Sequence, residues 1–269
     1  PVKPEPAMKS ISRRSLNRRH FLQASSAAGA SLILAGTQAS GRVLGANERL
    51  RVAVIGLNGR GQAHLDGYSK LDNVEIACLV DPDQQVLDRS LNQVHKQAGG
   101  NSKCTGETDI RKVLEDKTID AISIATPNHW HSLMTIWGAQ AGKHVYVEKP
   151  LSHDIAEGRV AVEAQKKYGV VVQHGTQARS NASLAGLHEA IHAGKFGRLK
   201  IAYGYCCKPR RGIGTKPVSA PPAQLDWDLW RGPADIDEFH ANLVHYNWHW
   251  NWHWGNGELG NNGIHGLDV

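Results

Sequence analysis

Short apolar runs alternate with stretches of helical periodicity between residues 50 and 175. The runs have the length and the Val/Ile content of buried strands, and segments with apolar positions three and four residues apart lie between them. The predicted strands are Val52–Ile55, residues 73–81, Ile119–Ala125, His144–Val147 and the segment YGVVVQHGT that begins at Tyr168; the predicted helices include Trp130–Ala141 and Ile155–Lys167. Because strands that alternate with helices form parallel sheets, the pattern predicts an α/β fold with a doubly wound parallel sheet.

The pattern changes after residue 175. One helical segment, Ala182–Ala193, leads to RLKIAYGYC (residues 198–206), whose alternating apolar and polar positions predict a strand. A loop rich in Pro and Gly follows this segment. We therefore predict a domain boundary near residue 175, with one domain over residues 47–175 and the start of a second over residues 176–269.

The positive charge of the chain is confined to its first 46 residues. The whole sequence has a formal net charge of +6, and residues 1–46 contain seven Lys and Arg residues and one Glu. The remaining residues are therefore neutral overall. Because proteins that bind nucleic acids present a basic surface to the phosphates, no nucleic-acid partner is predicted.

The basic segment resembles a twin-arginine export signal. NRRHFLQ (residues 17–23) places two arginines before Phe-Leu, and a run rich in Ala, Ser and Gly continues to Ala35. This run is too short to span a bilayer stably, so no stable membrane anchor is expected. We interpret residues 1–46 as a leader and expect an exported protein, periplasmic or extracytoplasmic. An ordinary amphipathic N-terminal extension is the alternative.

A glycine-rich turn connects the first predicted strand to a helix. The turn consists of Gly56, Leu57, Asn58, Gly59, Arg60 and Gly61, and Asp81 ends the next strand 20 residues after Gly61. Such a turn lets a pyrophosphate approach the N-terminus of the helix, and the acidic residue binds the ribose hydroxyls. Asn58 replaces the usual middle glycine, and Asn tolerates a left-handed backbone.

This context predicts NAD as the cofactor. Asp81 would repel the 2′-phosphate of NADP, which is therefore disfavoured, although Arg60 lies close enough in sequence to weaken that preference. A flavodoxin-like sheet without a dinucleotide is the alternative interpretation.

Three further motifs carry a family resemblance. They are ATPNHWH (residues 125–131), VEKP (residues 147–150) and GNNGIHGLD (residues 260–268). Together with the glycine turn they resemble the glucose–fructose oxidoreductase / inositol dehydrogenase / MocA (Gfo/Idh/MocA) family of NAD(P)-dependent sugar oxidoreductases. The resemblance implies a Rossmann domain followed by an α/β domain with an open, mostly antiparallel sheet, and a homo-oligomer when full length. The last motif is expected to begin a long helix, so we expect a C-terminally truncated form.

The resemblance implies catalytic roles for three residues. Lys149 of the Glu-Lys-Pro motif would stabilise negative charge on the reacting oxygen. The family's second element is an Asp and a His four residues apart, and the matching positions here are Asn261 and His265. His265 suits a general base because the ordinary pKa of His lies near neutrality. Asn261 cannot carry a charge and would only orient the substrate or the imidazole, while Asp268 is a feasible partner for His265.

Other residues are predicted to lie near the cofactor or the substrate. The residues after the third predicted strand, expected near the nicotinamide ribose, are Thr126, Pro127 and Asn128. Glu148 is assigned to the same cofactor site, where it orients Lys149 or remains a solvated carboxylate. His131 either touches the substrate or caps the following helix.

Four of the eight tryptophans alternate with Asn and His near the end of the sequence. They are Trp248, Trp250, Trp252 and Trp254. Alternate aromatic positions favour an extended segment with Trp on one face and His245, His249 and His253 on the other. We interpret the segment as a carbohydrate-facing wall, with Trp248 and Trp250 as substrate contacts. A metal site and plain packing are the alternatives, and no metal is predicted because no carboxylate stands nearby.

These features predict an exported NAD-dependent oxidoreductase acting on a sugar or a sugar derivative. Hydride would pass to nicotinamide C4 while His265 takes the hydroxyl proton and Lys149 polarises the oxygen. One alternative is an NAD-dependent glycosidase or lyase that oxidises its substrate transiently and then eliminates. The other is a sugar-binding protein without catalytic activity.

Overall fold

Six parallel strands form a single sheet in the computed structural model, which describes residues 49–268. The strands are β1 (Leu50–Ile55), β2 (Val74–Val80), β3 (Thr105–Glu107), β4 (Ala121–Ile124), β5 (His144–Glu148) and β6 (Val172–Gly175), and their order across the sheet is β3-β2-β1-β4-β5-β6. Every neighbouring pair is parallel. The doubly wound parallel sheet predicted from the sequence is confirmed. The predicted leader, residues 1–46, lies outside the described residues.

Helices connect the strands in the expected alternation. They are α1 (Arg60–Tyr68), α2 (Gln84–Gln97), α3 (Ile110–Glu115), α4 (Asn128–Gln140) and α5 (Ile155–Tyr168). Carboxylates begin three of them: Asp83, Asp109 and Asp154 each accept a backbone N–H of the first turn. Strand β3 was not predicted, because three residues that include a glycine give no periodic pattern. No helix within residues 49–268 is long and apolar enough to cross a membrane.

Helices cover both faces of the sheet, so both faces are buried. Along β1, Ala53 and Ile55 join one apolar cluster while Val52 and Val54 join another. Successive side chains of a strand point to opposite faces, so a strand buried on both sides has no polar positions. This is the reason that the central strand β1 appears in the sequence as an unbroken apolar run over Val52–Ile55.

The strand order reverses at β1, which creates a crevice. Strand β1 pairs with β2 on one side and with β4 on the other. The connections therefore leave in opposite directions from the carboxyl ends of β1 and β4. Gly56 follows β1, Asp81 follows β2, and Thr126 lies two residues beyond β4, so three predicted site residues meet at this point.

The remaining described residues contain short helices and loops. They are a 3₁₀ turn (Gln177–Ser180), α6 (Ala182–His192), α7 (Trp227–Arg231), a second 3₁₀ turn (Asn247–Trp250), a π-helical turn (Leu259–Gly263) and α8 (Ile264–Leu267). Helix α6 confirms the predicted helical segment. Antiparallel pairing is limited, in the part of the chain that the structure describes, to two isolated bridges, Asp83 with Leu225 and Val218 with His240.

The strand predicted over residues 198–206 is wrong. These residues have no regular secondary structure and their side chains are exposed, Tyr203 by 82% and Tyr205 by 79%. A strand needs a neighbour that satisfies its backbone hydrogen bonds. No segment between residues 49 and 268 pairs with it, so the alternating pattern alone did not produce a strand.

The extended conformation predicted for the Trp/His segment is also wrong. Residues 247–250 form a 3₁₀ turn and residues 252–254 a further turn. The asparagines between the aromatic residues explain this, because Asn side chains stabilise turns by bonding to nearby backbone groups. Asn247 Nδ2 donates to the Asn242 carbonyl at 2.8 Å, and Asn251 Oδ1 accepts the His253 N–H at 3.0 Å.

The turns separate the tryptophans that alternation would have placed on one face. Trp254 is fully buried and lies edge-on to Trp227 and Trp230, with ring centroids 5.8 and 5.4 Å away. Trp248 is also buried, whereas Trp252 is 84% exposed. Trp254 therefore belongs to the core of the C-terminal segment, together with Phe239 and Leu243.

Replacing Trp254 by Ala should lower the free energy of unfolding by ~3–5 kcal/mol, because a large buried side chain is removed from a packed cluster. Trp252→Ala removes the same side chain from an exposed position and should change the free energy of unfolding by less than about 0.5 kcal/mol. Denaturant unfolding followed by circular dichroism measures both values. Equal values for the two variants would contradict the described packing.

Candidate functional site

The crevice at the carboxyl ends of the strands encloses a cavity of about 380 Å³. The glycine turn forms one end, the segments after β2, β4 and β5 form the floor, and residues from the C-terminal segment form the opposite wall. The predicted site residues along this cavity are Gly56, Asn58, Gly59, Arg60, Asp81, Thr126, Pro127, Asn128, His131, Glu148, Lys149, Trp248, Asn261 and His265. The residues given a cofactor, substrate or catalytic role thus converge from distant parts of the sequence.

The glycine turn allows the closest backbone approaches of the site. Gly56 has a φ of +83°, and a Cβ there would lie 2.7 Å from both the carbonyl carbon and the oxygen of Ala125. A Cβ at Gly61 would lie 1.9 Å from the Gly56 oxygen, whereas a Cβ at Gly59 would meet no atom within 4 Å. Gly56 and Gly61 are therefore required by sterics, and Gly59 is not.

Asn58 has a role that differs from the expected one. Within residues 49–268 only glycines have a positive φ, so the left-handed conformation expected for Asn58 does not occur. Its side-chain oxygen instead accepts a hydrogen bond from Arg89 Nη2 at 2.9 Å. The turn is thus fastened to helix α2 by a side chain that the usual middle glycine would not provide.

Asp81 connects the glycine turn to the end of β2. Its carboxylate accepts the Leu57 N–H at 2.8 Å and the Asp83 N–H at 3.0 Å. Burial raises the pKa of this carboxyl, which is only 5% exposed. An ionised carboxylate has about four acceptor sites, so the two backbone bonds leave capacity for ribose hydroxyls.

The residues of the crevice fit a dinucleotide. Gly59 gives no side-chain cap to helix α1, and its carbonyl accepts the Gln62 N–H at 3.0 Å, so the N–H groups of Arg60 and Gly61 are left for an anionic ligand. The hydroxyl oxygen of Thr126 is buried at the cavity wall and has no hydrogen-bond partner among the residues that the structure describes. A Cβ at Gly56 would lie 2.8 Å from the backbone nitrogen of the same threonine.

A buried carboxylate joins the glycine turn to the predicted catalytic lysine. Glu148 Oε1 accepts from Arg60 Nε at 2.7 Å and lies 3.1 Å from His64 Nε2, while Oε2 accepts the Lys149 N–H at 3.2 Å. Burial opposes ionisation of this group, but the hydrogen bonds from His64 and Arg60 prevail and lower its pKa to about 2. Glu148 is therefore a paired, buried carboxylate that orients Lys149, and the solvated alternative is wrong.

His64 was missed by sequence reasoning. Its Nδ1 lies 2.9 Å from Ser123 Oγ, which also accepts from the Tyr68 hydroxyl at 3.1 Å. The available signal was the spacing of Arg60 and His64, which are four residues apart and share one face of α1. Arg60, bound to Glu148, is held at the β5 side of the crevice.

Lys149 and Asn261 are in direct contact. Lys149 Nζ donates to the Asn261 backbone carbonyl at 2.8 Å, and Asn261 Oδ1 lies 3.5 Å from the same nitrogen. Burial lowers the pKa of Lys149, and the charge of Glu148 opposes that shift. The two positions, to which the family resemblance gave separate catalytic roles, thus meet across 112 residues, with the amide in the place of the family's carboxylate.

His265 lines the cavity one turn beyond Asn261, as predicted. Burial and the positive charge of Lys149 lower its pKa. The structure records no hydrogen bond of the His265 ring to any residue between 49 and 268. Asp268, the feasible partner, instead forms a two-pronged ion pair with Arg179 at 2.7–2.9 Å.

Two predicted substrate contacts do not have the expected geometry. The ring nitrogens of His131 lie 2.6 Å from the Pro150 oxygen and 2.9 Å from the Thr126 oxygen, and the side chain is 1% exposed. His131 therefore braces the crevice floor and has no polar atom left for a substrate. Trp250 lies outside the cavity lining and stacks against the Arg210 guanidinium at 5.1 Å. The lining also contains Tyr246, His249 and Asn262, which the sequence analysis did not assign to the site.

No cluster of three or more His, Cys, Asp or Glu side chains suited to a metal ion occurs between residues 49 and 268. The four cysteines are free; Cys78 and Cys104 are buried, and Cys206 and Cys207 are exposed.

Two family models match the chain. One, described as an oxidoreductase family with an NAD-binding Rossmann fold, matches residues 50–176, and the other, the C-terminal alpha/beta domain of the same oxidoreductase family, matches residues 204–269. The chain belongs to the Gfo/Idh/MocA oxidoreductase family. Its six-stranded parallel sheet is thus the family's NAD-binding domain.

The relatives of this chain include a glycosyl hydrolase and an inositol dehydrogenase. A glycosyl hydrolase family 109 protein from Shewanella pealeana is 34% identical over 160 residues, which are 53% of this chain and 35% of the relative. The scyllo-inositol 2-dehydrogenase (NAD(+)) of Bacillus subtilis is 32% identical over 178 residues, 66% of this chain and 47% of the relative. The chain therefore spans less than half the length of these curated relatives.

A solved structure resembles the same region. The WlbA dehydrogenase from Bordetella pertussis, in complex with NADH and UDP-GlcNAcA, is 26% identical, with a TM-score of 0.51 over 56% of this chain and 42% of that one. NADH is thus bound in a structure of this fold.

Replacing Gly56 by Ala should abolish NAD binding, because the new methyl group would overlap the Ala125 backbone and the φ of +83° is strained for Ala. Gly67→Ala, in helix α1 and outside the cavity lining, is the matched control, since its methyl group meets no atom within 4 Å. Isothermal titration calorimetry with NAD compares the two variants after circular dichroism has verified their folding. Strong NAD binding by Gly56→Ala would rule out this turn as the pyrophosphate site.

Replacing Asp81 by Ser should lower the ratio of NAD affinity to NADP affinity at least tenfold, because the charge that repels a 2′-phosphate is removed. Asp88→Ser on the exposed side of α2 removes the same charge and should leave the ratio unchanged. Titration of each variant with both cofactors gives the ratios. The assignment of Asp81 to the ribose fails if its variant retains the wild-type ratio.

Proposed function

We propose that this protein oxidises a CH–OH group of a sugar or a cyclic polyol with NAD. One observation carries the proposal: Lys149, His265 and the glycine turn line the same crevice. When bound, NAD supplies the acceptor for the hydride. The relatives support this assignment, since one is a scyllo-inositol 2-dehydrogenase and a structural neighbour holds NADH with a nucleotide sugar.

Lys149 would act on the oxygen of the substrate. Its ammonium group is half-buried at the crevice, and its contact with the Asn261 carbonyl fixes where it lies. A hydrogen bond from this ammonium to the reacting hydroxyl would stabilise the alkoxide character that develops as the carbonyl forms. Glu148 supports that position through the Lys149 backbone N–H.

A crevice imidazole would accept the hydroxyl proton. The motif assigns this step to His265, whose lowered pKa favours the neutral form at neutral pH, the form that can accept a proton. Asn261 would orient the substrate through its amide, because it has no charge to offer.

A second candidate is a glycosidase that oxidises its substrate, eliminates the leaving group and then reduces the intermediate. Two observations favour it, the glycosyl hydrolase family 109 relative and the amide in the place of the family's carboxylate. This route produces no net NADH and retains its cofactor. A sugar-binding protein without turnover is the third candidate.

The location and the assembly belong to the same proposal. The twin-arginine resemblance of residues 17–23 supports export of a protein that has already folded around NAD. We also propose a homo-oligomer for the full-length protein, a sugar or polyol as its small-molecule substrate, and no nucleic-acid partner.

The purified protein with NAD and a panel of sugars, inositols and aryl glycosides should produce NADH with at least one polyol or sugar. Release of the aryl group without net NADH supports the glycosidase, and sugar binding without either product supports the binding protein. Lys149→Met should lower kcat about 10²–10³-fold while NAD affinity stays within about twofold. Lys96→Met, at an exposed end of α2, is the matched control and should have wild-type kcat.

A further inference from the structure

A second histidine lines the crevice and has no role in the family motif. His249 lies in the 3₁₀ turn Asn247–Trp250 and borders the same cavity as Lys149 and His265. The alternating pattern predicted only that His249 lies on the face of an extended segment opposite the tryptophans. The turn brings it to the crevice instead.

Two contacts fix the position of the His249 ring and backbone, and a further hydrogen bond holds the indole on which the ring stacks. The ring stacks on the indole of Trp248 with centroids 3.7 Å apart and an angle of 18° between the planes. Trp248 is itself buried, and its Nε1 donates to the His245 carbonyl at 2.8 Å. Gly255 packs against the His249 backbone so closely that a Cβ at Gly255 would lie 2.3 Å from the His249 oxygen.

The tautomer of His249 is also fixed. Nδ1 lies 2.5 Å from the Tyr246 carbonyl oxygen, which can only accept. Nδ1 must therefore carry the hydrogen, and in the neutral ring the lone pair is on Nε2. Among the residues that the structure describes, none forms a hydrogen bond with Nε2. Because Nδ1–H is bonded to the carbonyl and the lone pair of Nε2 is free, the ring can accept a proton at Nε2.

The environment of His249 favours the neutral form of the ring. Burial lowers the pKa of His249, and the positive charges of Lys149 and Arg210 lower it further. The Tyr246 carbonyl and the charge of Glu258 act in the opposite direction but do not reverse the shift. Glu258 is itself engaged by Arg210 at 2.8 and 3.1 Å.

His265 has none of these supports. The family's carboxylate is Asn261 in this chain, and the amide oxygen of Asn261 faces Lys149 Nζ at 3.5 Å. Asp268 is held by Arg179. Neither of the two side chains expected to orient His265 is therefore available to it.

We propose that His249 is the general base of this crevice, taking the hydroxyl proton that the family motif assigns to His265. The inference rests on the proposed oxidation. In that step the O–H bond breaks, its proton moves to His249 Nε2, and the electron pair of that bond forms the carbonyl as hydride leaves the carbon for NAD. Lys149 donates a hydrogen bond to the same oxygen.

The test compares single histidine variants of the full protein, using the polyol or sugar that gives NADH with the wild type. His249→Gln should lower kcat about 10²–10⁴-fold, the usual range for loss of a general base, and NAD affinity should stay unchanged. The acidic limb of the pH–kcat profile should disappear in this variant. Added imidazole should restore part of the activity of His249→Ala, which a merely structural role would not allow.

Two matched variants complete the design. His265→Gln should lower kcat less than tenfold, and His253→Gln, at an exposed position of the same segment, should have no effect. Imidazole nitrogen NMR of the wild type should show the Nδ1–H tautomer at His249. The proposal is overturned if His265→Gln loses the acidic limb while His249→Gln retains it. Absence of NADH with every substrate for the wild type overturns the proposed oxidation, and this inference with it.

Discussion

The carboxylate of Glu148 is the interaction on which the architecture of the crevice depends. It is 3% exposed, and a buried carboxylate without partners would be strongly unfavourable. Arg60 and His64 of α1 and the backbone of Lys149 supply those partners. The same carboxylate therefore ties the helix behind the glycine turn to the strand end that carries the lysine. Displacement of either partner would move both ends of the crevice.

A second set of contacts attaches the C-terminal segment to this framework. Asp226 donates its N–H to the Pro82 carbonyl at 2.9 Å, and His245 Nε2 lies 3.1 Å from Asp83 Oδ2. Asp83 also begins helix α2. The wall that carries His249 is thus anchored to the residues directly after Asp81, at the end of the crevice predicted to bind adenosine ribose. The residues after Asp81 thus support both the predicted cofactor site and the wall that carries His249.

The sequence predicted those features that local patterns determine. An unbroken apolar run is sufficient to identify β1 or β2, and the spacing from the glycine turn to Asp81 identifies a dinucleotide site, because both depend on neighbouring residues. The predictions for residues 198–206 and for the Trp/His segment were wrong, because an alternating pattern does not by itself determine the conformation. Whether an alternating segment becomes a strand depends on a distant partner, and the Asn residues near Trp248 and Trp254 form turns instead.

In the candidate site, too, residues within a local motif were predicted and residues that depend on distant contacts were not. Lys149, Asn261 and His265 were placed correctly in the crevice because a motif carries them. His64 contacts Glu148 across 84 residues, and His249 lines the same cavity as Lys149, from which it is 100 residues distant. A single sequence has no signal for either arrangement.

The replacement of a carboxylate by Asn261 changes the charge balance of the crevice. In the family pattern a carboxylate at this position would neutralise Lys149 and orient the adjacent His. Here Lys149 contacts a neutral carbonyl and amide. Two carboxylates act on its charge, and both are already paired, Glu148 with Arg60 and His64 and Glu258 with Arg210. Burial and the positive charge of Lys149 lower the pKa of both His249 and His265, because protonation would place a second positive charge close to the first. The loss of one acidic side chain thus removes the orientation of His265 but preserves the neutral state that a base requires, so a histidine oriented by a backbone carbonyl can take over the proton transfer.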